Sequence, residues 1–331
     1  MTPKNNDDNK EGVHDLLLFG SQKTEVVKKK EQVPPEKIDQ DNQIKLVYEL
    51  KPFGSHYRYS VLFSNQSAAP ITELKIRIRY PSFLRLCRSN PPTISYDLAN
   101  TGEKFVQVKI EFNRLEAKSQ KQVNLFFSPE DLEEIGEIRT FVTFVNYEDF
   151  VRALNSDPVI IHFIPVTVEP KIVPSSEVSK ILNQDGIKKA IKSIGIGSKK
   201  LFDEDTYFNQ LIQITINQNF QLIAKDTAKK IGWYYGTDLV SGDDILVIGQ
   251  IVKNKVEWIS ASKNPHLLVS VLTQLAKKYI QRLRVMGILE PEDSAFDLEC
   301  KFCGNPLPYF PKRGKSIECG KCNLEQVVWS K

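Results

Sequence analysis

Leu74-Lys75-Ile76-Arg77-Ile78-Arg79-Tyr80 alternates apolar residues with cations over its whole length. Successive side chains of a strand point to opposite faces, so this stretch predicts a strand with one face on a core and one in water. The theme recurs on both sides of it. Tyr57, Tyr59, Val61 and Phe63 share one spacing, as do Val123, Leu125 and Phe127, and Val106, Val108, Ile110 and Phe112 alternate with Gln107, Lys109 and Glu111. Residues 44–50, 138–145 and 159–168 add further candidates, separated by turn-rich segments such as Ser64-Asn65-Gln66-Ser67. About seven or eight strands with no helix between them predict an antiparallel sandwich of immunoglobulin type over residues 43–174.

Residues 1–42 are polar and charged around one apolar run, Leu16-Leu17-Leu18-Phe19, and read as a disordered arm. They contain no apolar stretch of the kind that heads a secreted chain. With four of five cysteines in metal-type pairs, this leads us to expect a cytoplasmic protein. The chain of 331 residues, 41% of them hydrophobic, is long enough for two ordinary domains and their cores. Its net charge of +4 is too mild to mark a committed nucleic-acid binder.

Pro170 and Pro174 mark a boundary. Beyond it, residues 175–290 predict a small α+β domain. Ile187, Ala190, Ile191 and Ile194, with Lys188, Lys189 and Lys192 between them, have the spacing of an amphipathic helix ending at Gly195 and Gly197; Lys199 and Lys200 follow. Residues 210–216 read as a strand, 220–231 as a helix, and 245–252 and 256–260 as paired strands. Residues 265–284 read as a long helix with Leu268, Val271, Leu272, Leu275, Tyr279 and Leu283 on its buried stripe. Residues 290–297 form a short acidic linker.

Residues 298–331 hold the strongest chemical signal. Cys300 and Cys303, then Cys319 and Cys322, form two C-x2-C pairs. Each pair presents two sulfurs on one tight turn, and four soft thiolates close a tetrahedral shell around one structural Zn2+. Gly304 and Asn323 follow the pairs where such turns need positive φ. A closed shell leaves no position for water, so the metal is expected to be structural. Lys312, Arg313 and Lys315 on the intervening loop are candidate contacts to nucleic-acid phosphate.

No catalytic constellation is legible. His14, His56, His162 and His266 belong to no metal-binding or triad motif, and Asp238, Asp243 and Asp244 around Gly242 read as turn chemistry. Cys87 lies between Arg85 and Arg88, a setting that lowers a thiol pKa, but reads as an inert strand-end residue. The chain is therefore not expected to be an enzyme.

A sandwich followed by a small helix-and-strand unit resembles the appendage (ear) domains of vesicle-coat adaptors, most of all the coatomer gamma-subunit appendage. The resemblance rests on residues 220–233 as a middle helix, on Gly242-Asp243-Asp244-Ile245-Leu246-Val247 leading into a strand, on Val256-Glu257-Trp258-Ile259-Ser260-Ala261-Ser262 pairing with it, and on residues 265–275 as the closing helix. It implies a platform-like domain and a non-catalytic adaptor of vesicle-mediated transport that binds short peptide motifs or partner proteins around aromatic residues. Tyr207 and Phe208 fall near the family's position, and Trp233 and Trp258 are the block's tryptophans. Peripheral membrane attachment fits that reading, and a small-molecule substrate does not. The alternative is a nucleic-acid-associated zinc-ribbon protein.

Overall fold

The computed structural model describes residues 40–97, 104–130, 134–197, 203–290 and 294–329. The Leu16–Phe19 run, His14, Lys199 and Lys200 lie outside the described residues. The alternating segments form the expected strands: β1 (Ile44–Phe53), β2 (His56–Asn65), β3 (Ile71–Pro81), β4 (Leu84–Asn90), β5 (Ser95–Asp97), β6 (Phe105–Leu115), β7 (Ser119–Pro129), β8 (Ile135–Val145), β9 (Val151–Asn155) and β10 (Val159–His162). They make two antiparallel sheets, ordered β1-β2-β7-β4 and β10-β8-β3-β6-β5, with β9 also on β8. Their inward faces meet in one core. Tyr59, Val61 and Phe63 of β2 and Val123, Leu125 and Phe127 of β7 lie in it with Ile76, Ile78 and Tyr80 of β3 and Val142 of β8. The Tyr59 hydroxyl finds Thr140 Oγ1 of the other sheet at 2.8 Å, so the buried phenol keeps a hydrogen bond.

The chain then enters a third sheet. β11 (Val168–Pro170) is followed by α1 (Val178–Leu182), β12 (Lys188–Gly197), α2 (Glu204–Asn217), β13 (Gln221–Asp226), β14 (Ile231–Asp238), β15 (Asp244–Val252), β16 (Lys255–Ser262), α3 (Pro265–Val285) and β17 (Ser294–Asp297). The sheet order is β11-β14-β15-β16-β12-β17, with β13 on β14. Phe208 and Leu211 of α2 and Leu268, Leu272 and Tyr279 of α3 pack with Val247 and Trp258 of the sheet in a second core. Asn264 caps α3 by accepting from the His266 N–H, ahead of Pro265 in the first turn. Among the described residues no helix is long and apolar enough to cross a membrane.

Three expected elements change type. Residues 210–216 are helical: Asp203 caps α2, and Tyr207, Phe208, Leu211, Ile212 and Thr215 recur at helical spacing on its buried side. The expected helix at 220–231 is the β13–β14 hairpin. Asn219, at φ 62°, ends α2 and turns the chain into it. The expected amphipathic helix at 187–197 is β12, bonded to β16 on one edge and β17 on the other. Its Lys192 is buried, so the lysines do not form a solvated helix face. The turn before β16 is Lys253-Asn254, with both residues at positive φ as a two-residue hairpin requires.

Candidate metal centre and the junction around it

Residues 294–329 are built on the edge of the third sheet. β17 pairs with β12 through Ile194↔Asp297 and Gly195↔Phe296 and leads straight to Cys300. A hairpin of β18 (Ser316–Glu318) and β19 (Glu325–Val327) carries the second cysteine pair at its turn. The first pair closes with the Gly304 N–H on the Cys300 carbonyl (2.8 Å), the second with the Asn323 N–H on the Cys319 carbonyl (2.9 Å). Both turn residues have positive φ, 74° and 56°.

The four Sγ atoms of Cys300, Cys303, Cys319 and Cys322 lie within 4.8 Å of one another. Cys300 and Cys322 are separated by 3.6 Å, as are Cys303 and Cys319. A tetrahedral ion with sulfur ligands at about 2.3 Å needs sulfurs about 3.8 Å apart, so the cluster has the right size for zinc. The Phe302 N–H points to Cys300 Sγ (3.4 Å) and the Asn305 side-chain amide to Cys303 Sγ (3.2 Å), donors that favour thiolates. Burial raises the Cys303 thiol, but the Asn305 donors and the neighbouring sulfurs lower it, whereas Cys322, despite the Leu324 N–H, is raised by burial and by the same sulfur cluster. Leu298, Leu307 and Ile317 supply a core too small to hold these residues without a cross-link.

Aromatic packing fixes this module to the sheet. Phe296, Phe310 and Trp329 stack on one another, with centroids 5.5–6.0 Å apart. Gly195 and Gly197 make room for them. A Cβ at Gly195 would overlap the Phe310 ring, and one at Gly197 would press on Phe296 and Trp329. The pair expected to stop a helix is instead a flat seat in a strand.

Beside the stack, three parts of the chain bring charge together. Asp297 accepts from Lys192 Nζ (2.6 Å) and from the Arg85 guanidinium of β4, which also meets Glu130 at 3.0 Å. Burial would raise the Asp297 carboxyl, yet the Lys192 and Arg85 cations hold it well below the usual carboxylate range. Glu299 accepts from Ser55 Oγ (2.7 Å) and meets His56 Nε2 at 2.6 Å, both at the β1–β2 turn. Glu257 gathers Lys255, Ser193 and Gln250 at 2.6–2.7 Å, and Lys255 also donates to the Leu307 carbonyl. A cavity of about 180 Å³ lies between His56, Arg85, Arg88, Glu299, Cys300 and Gly304.

Ser55, His56 and Glu299 superficially suggest a triad, but the connections are wrong for one. The buried Ser55 hydroxyl gives its proton to Glu299 and stands 3.4 Å from His56 Nδ1, so the imidazole is not placed to activate it. Cys87 borders the same cavity. Burial pushes its thiol up to about 11, overriding Arg85 and Lys192 and disfavouring a reactive thiolate. At the Asp238–Asp244 turn, Asp238 accepts from the Ser241 N–H (2.8 Å), the turn chemistry read from the sequence.

The aromatic residues expected to grip a peptide do not form a pocket. Tyr207, Phe208 and Trp258 are 3%, 2% and 0% exposed in the second core, and Trp233 is half-buried beside Tyr235 and Leu246 in a separate cluster. Lys312, Arg313 and Lys315 are exposed, with Arg313 over the Trp329 ring at 5.9 Å. Sequence reading named Lys192 and Arg88 without these roles and gave Asp297 and Glu299 none. The only signal for the two acids was their place just before the first zinc-type cysteine.

Fold and site together define a mainly β protein of sandwich-like sheets with a C-terminal cysteine cluster able to bind a metal ion such as zinc. No family model and no curated protein matches the sequence. Among solved structures, the chain is similar to the full-length major pilin SpaD from Corynebacterium diphtheriae at 10% identity and TM-score 0.29, over 46% of this chain and 42% of that one. It is similar to BcpA, the major pilin subunit of Bacillus cereus, at 9% identity and TM-score 0.27, over 65% and 66%. For Spo0M, the sporulation control protein from Bacillus subtilis, the values are 8%, 0.19, 64% and 76%. The chain thus spans less than two thirds of either pilin, and scores this low carry no argument about function. None of these is a coat appendage. The resemblance to that family also fails on an element that carried it, because its middle helix is the β13–β14 hairpin.

Proposed function

We propose that this is a non-catalytic binding protein, with a structural zinc ribbon, that takes extended peptide segments of apolar and acidic character. The observation that carries this reading is a groove of about 660 Å³ between the sandwich edge and the first cysteine turn. Leu86, Ile94 and Phe302 give it apolar surface, Lys301 gives it positive charge, and among the described residues no carboxylate lines it. Ile94 and Phe302 are 70% and 56% exposed, and β4 is the last strand of its sheet, with an edge suited to strand addition. Selection of the full chain against displayed random peptides is expected to enrich segments with alternating apolar residues and at least one acid. Phe302→Ala should weaken them about tenfold, near 1.4 kcal/mol. Failure to enrich, or equal binding by Phe302→Ala, sinks the reading.

A second reading, nucleic acid on the ribbon loop, has the exposure of Lys312, Arg313 and Lys315 in its favour. It requires affinity for DNA or RNA that falls steeply with salt.

A further inference from the structure

Arg88 stands apart among the cations of the junction. Arg85 has Asp297 and Glu130, Lys192 has Asp297, and Lys255 has Glu257. Arg88 has no carboxylate within salt-bridge distance among the described residues, although it is half-buried. Its guanidinium stacks 3.8 Å over the centroid of Phe126, which fixes its position from the sandwich side. On the other side it presses so closely on Gly304 that a Cβ there would overlap three of its atoms. Gly304 closes the turn that carries Cys300 and Cys303. The β4 register shifts between Leu86 and Arg88 where it pairs with β7, a bulge at the point where the strand meets the ribbon.

We propose that Arg88 is the outer-shell counter-cation of the four-cysteine site, and that metal binding thereby seats the edge of the sandwich on the ribbon. A divalent ion with four thiolates keeps a net charge of about two minus, and such a centre held against protein is stabilised by a nearby cation. Arg88, half-buried and with no carboxylate partner among the described residues, balances the charge of the thiolate centre. Linkage makes the effect reciprocal: whatever affinity the metal gains from Arg88, the seating of β4 gains from the metal.

The inference rests on the reading that the cysteines hold a metal, and the test separates the two. Zinc content of the purified full chain comes first; a wild-type chain that retains no stoichiometric zinc overturns the metal reading itself. With zinc bound, competition against a chromophoric chelator measures affinity in Arg88→Met, which keeps the stem over Phe126, and in Arg88→Lys, which keeps the charge. Arg88→Met should weaken zinc by about 10- to 100-fold, and Arg88→Lys should recover most of that loss. Wild-type affinity in Arg88→Met, or an equal loss in both variants, overturns the proposal. Should Arg88→Met not fold, hydrogen exchange on the wild-type chain decides. Chelation should speed exchange in residues 84–90 along with 300–322, and protection of 84–90 unchanged by chelation overturns it.

Discussion

Lys192 is a cation inside a protein, and Asp297 makes it tolerable. Removing one partner of a buried pair leaves an uncompensated charge, which costs about 3 kcal/mol or more. Asp297→Asn should therefore destabilise the chain by roughly that amount at neutral pH, as read by urea unfolding. The pH dependence has a definite sign. The folded carboxyl is held below its unfolded value by Lys192 and Arg85. Its contribution is complete above the unfolded pKa of about 4 and is lost as pH falls toward the folded one. The stability gap between wild type and Asp297→Asn should thus shrink below about pH 4, with acid loss of metal common to both. A gap that stays constant down to about pH 2.5 contradicts the assignment.

At the scale of elements, the ribbon has little of its own to hold it, since β18 and β19 are three residues each. Its order depends on four sulfurs and on the aromatic seat against β12. Cys319→Ser, or chelation, is expected to abolish metal binding and raise amide exchange across residues 300–327 to near that of an unfolded chain, while β2, β3 and β7 stay protected. Unchanged protection in that segment shows that the aromatic seat on β12 orders it without the metal. The cysteine spacing made this element readable because ligation is local. The sandwich strands were readable for a related reason: each has one wet face, so Leu74 to Tyr80 announces its own orientation. β12 has no wet face to report. Its Lys192 is neutralised by Asp297, about a hundred positions away, and a local window sees only a lysine among isoleucines. α2 carries Ile212, Ile214 and Ile216 in alternation and reads as a strand, although its packing follows Phe208, Leu211, Ile212 and Thr215. Arg88 and Glu299 were invisible because their roles exist only where three distant segments meet.

Over the whole molecule, the boundary expected near residue 174 does not isolate the sandwich from the α+β region. β11 already belongs to the third sheet, and α3 serves both cores. Leu268 and Leu272 of this helix face the second core, whereas Val269 is fully buried among sandwich residues. Lys277 donates to the Glu130 carbonyl, and Gln274 holds the Val166 backbone from both its amide ends. A chain ending at residue 262 should lose about 2 kcal/mol or more of sandwich stability through the cavity left at Val269 and gain protease sensitivity in β1. Cleavage of β1 no faster than in the full chain argues against the shared helix. Val269 also has a bearing on biosynthesis. It lies more than a hundred residues beyond the last sandwich strand, and translation adds roughly 5–20 residues per second. For several seconds, then, the ribosome carries a sandwich whose plug has not been made, and the nascent chain spends that interval with an open seam.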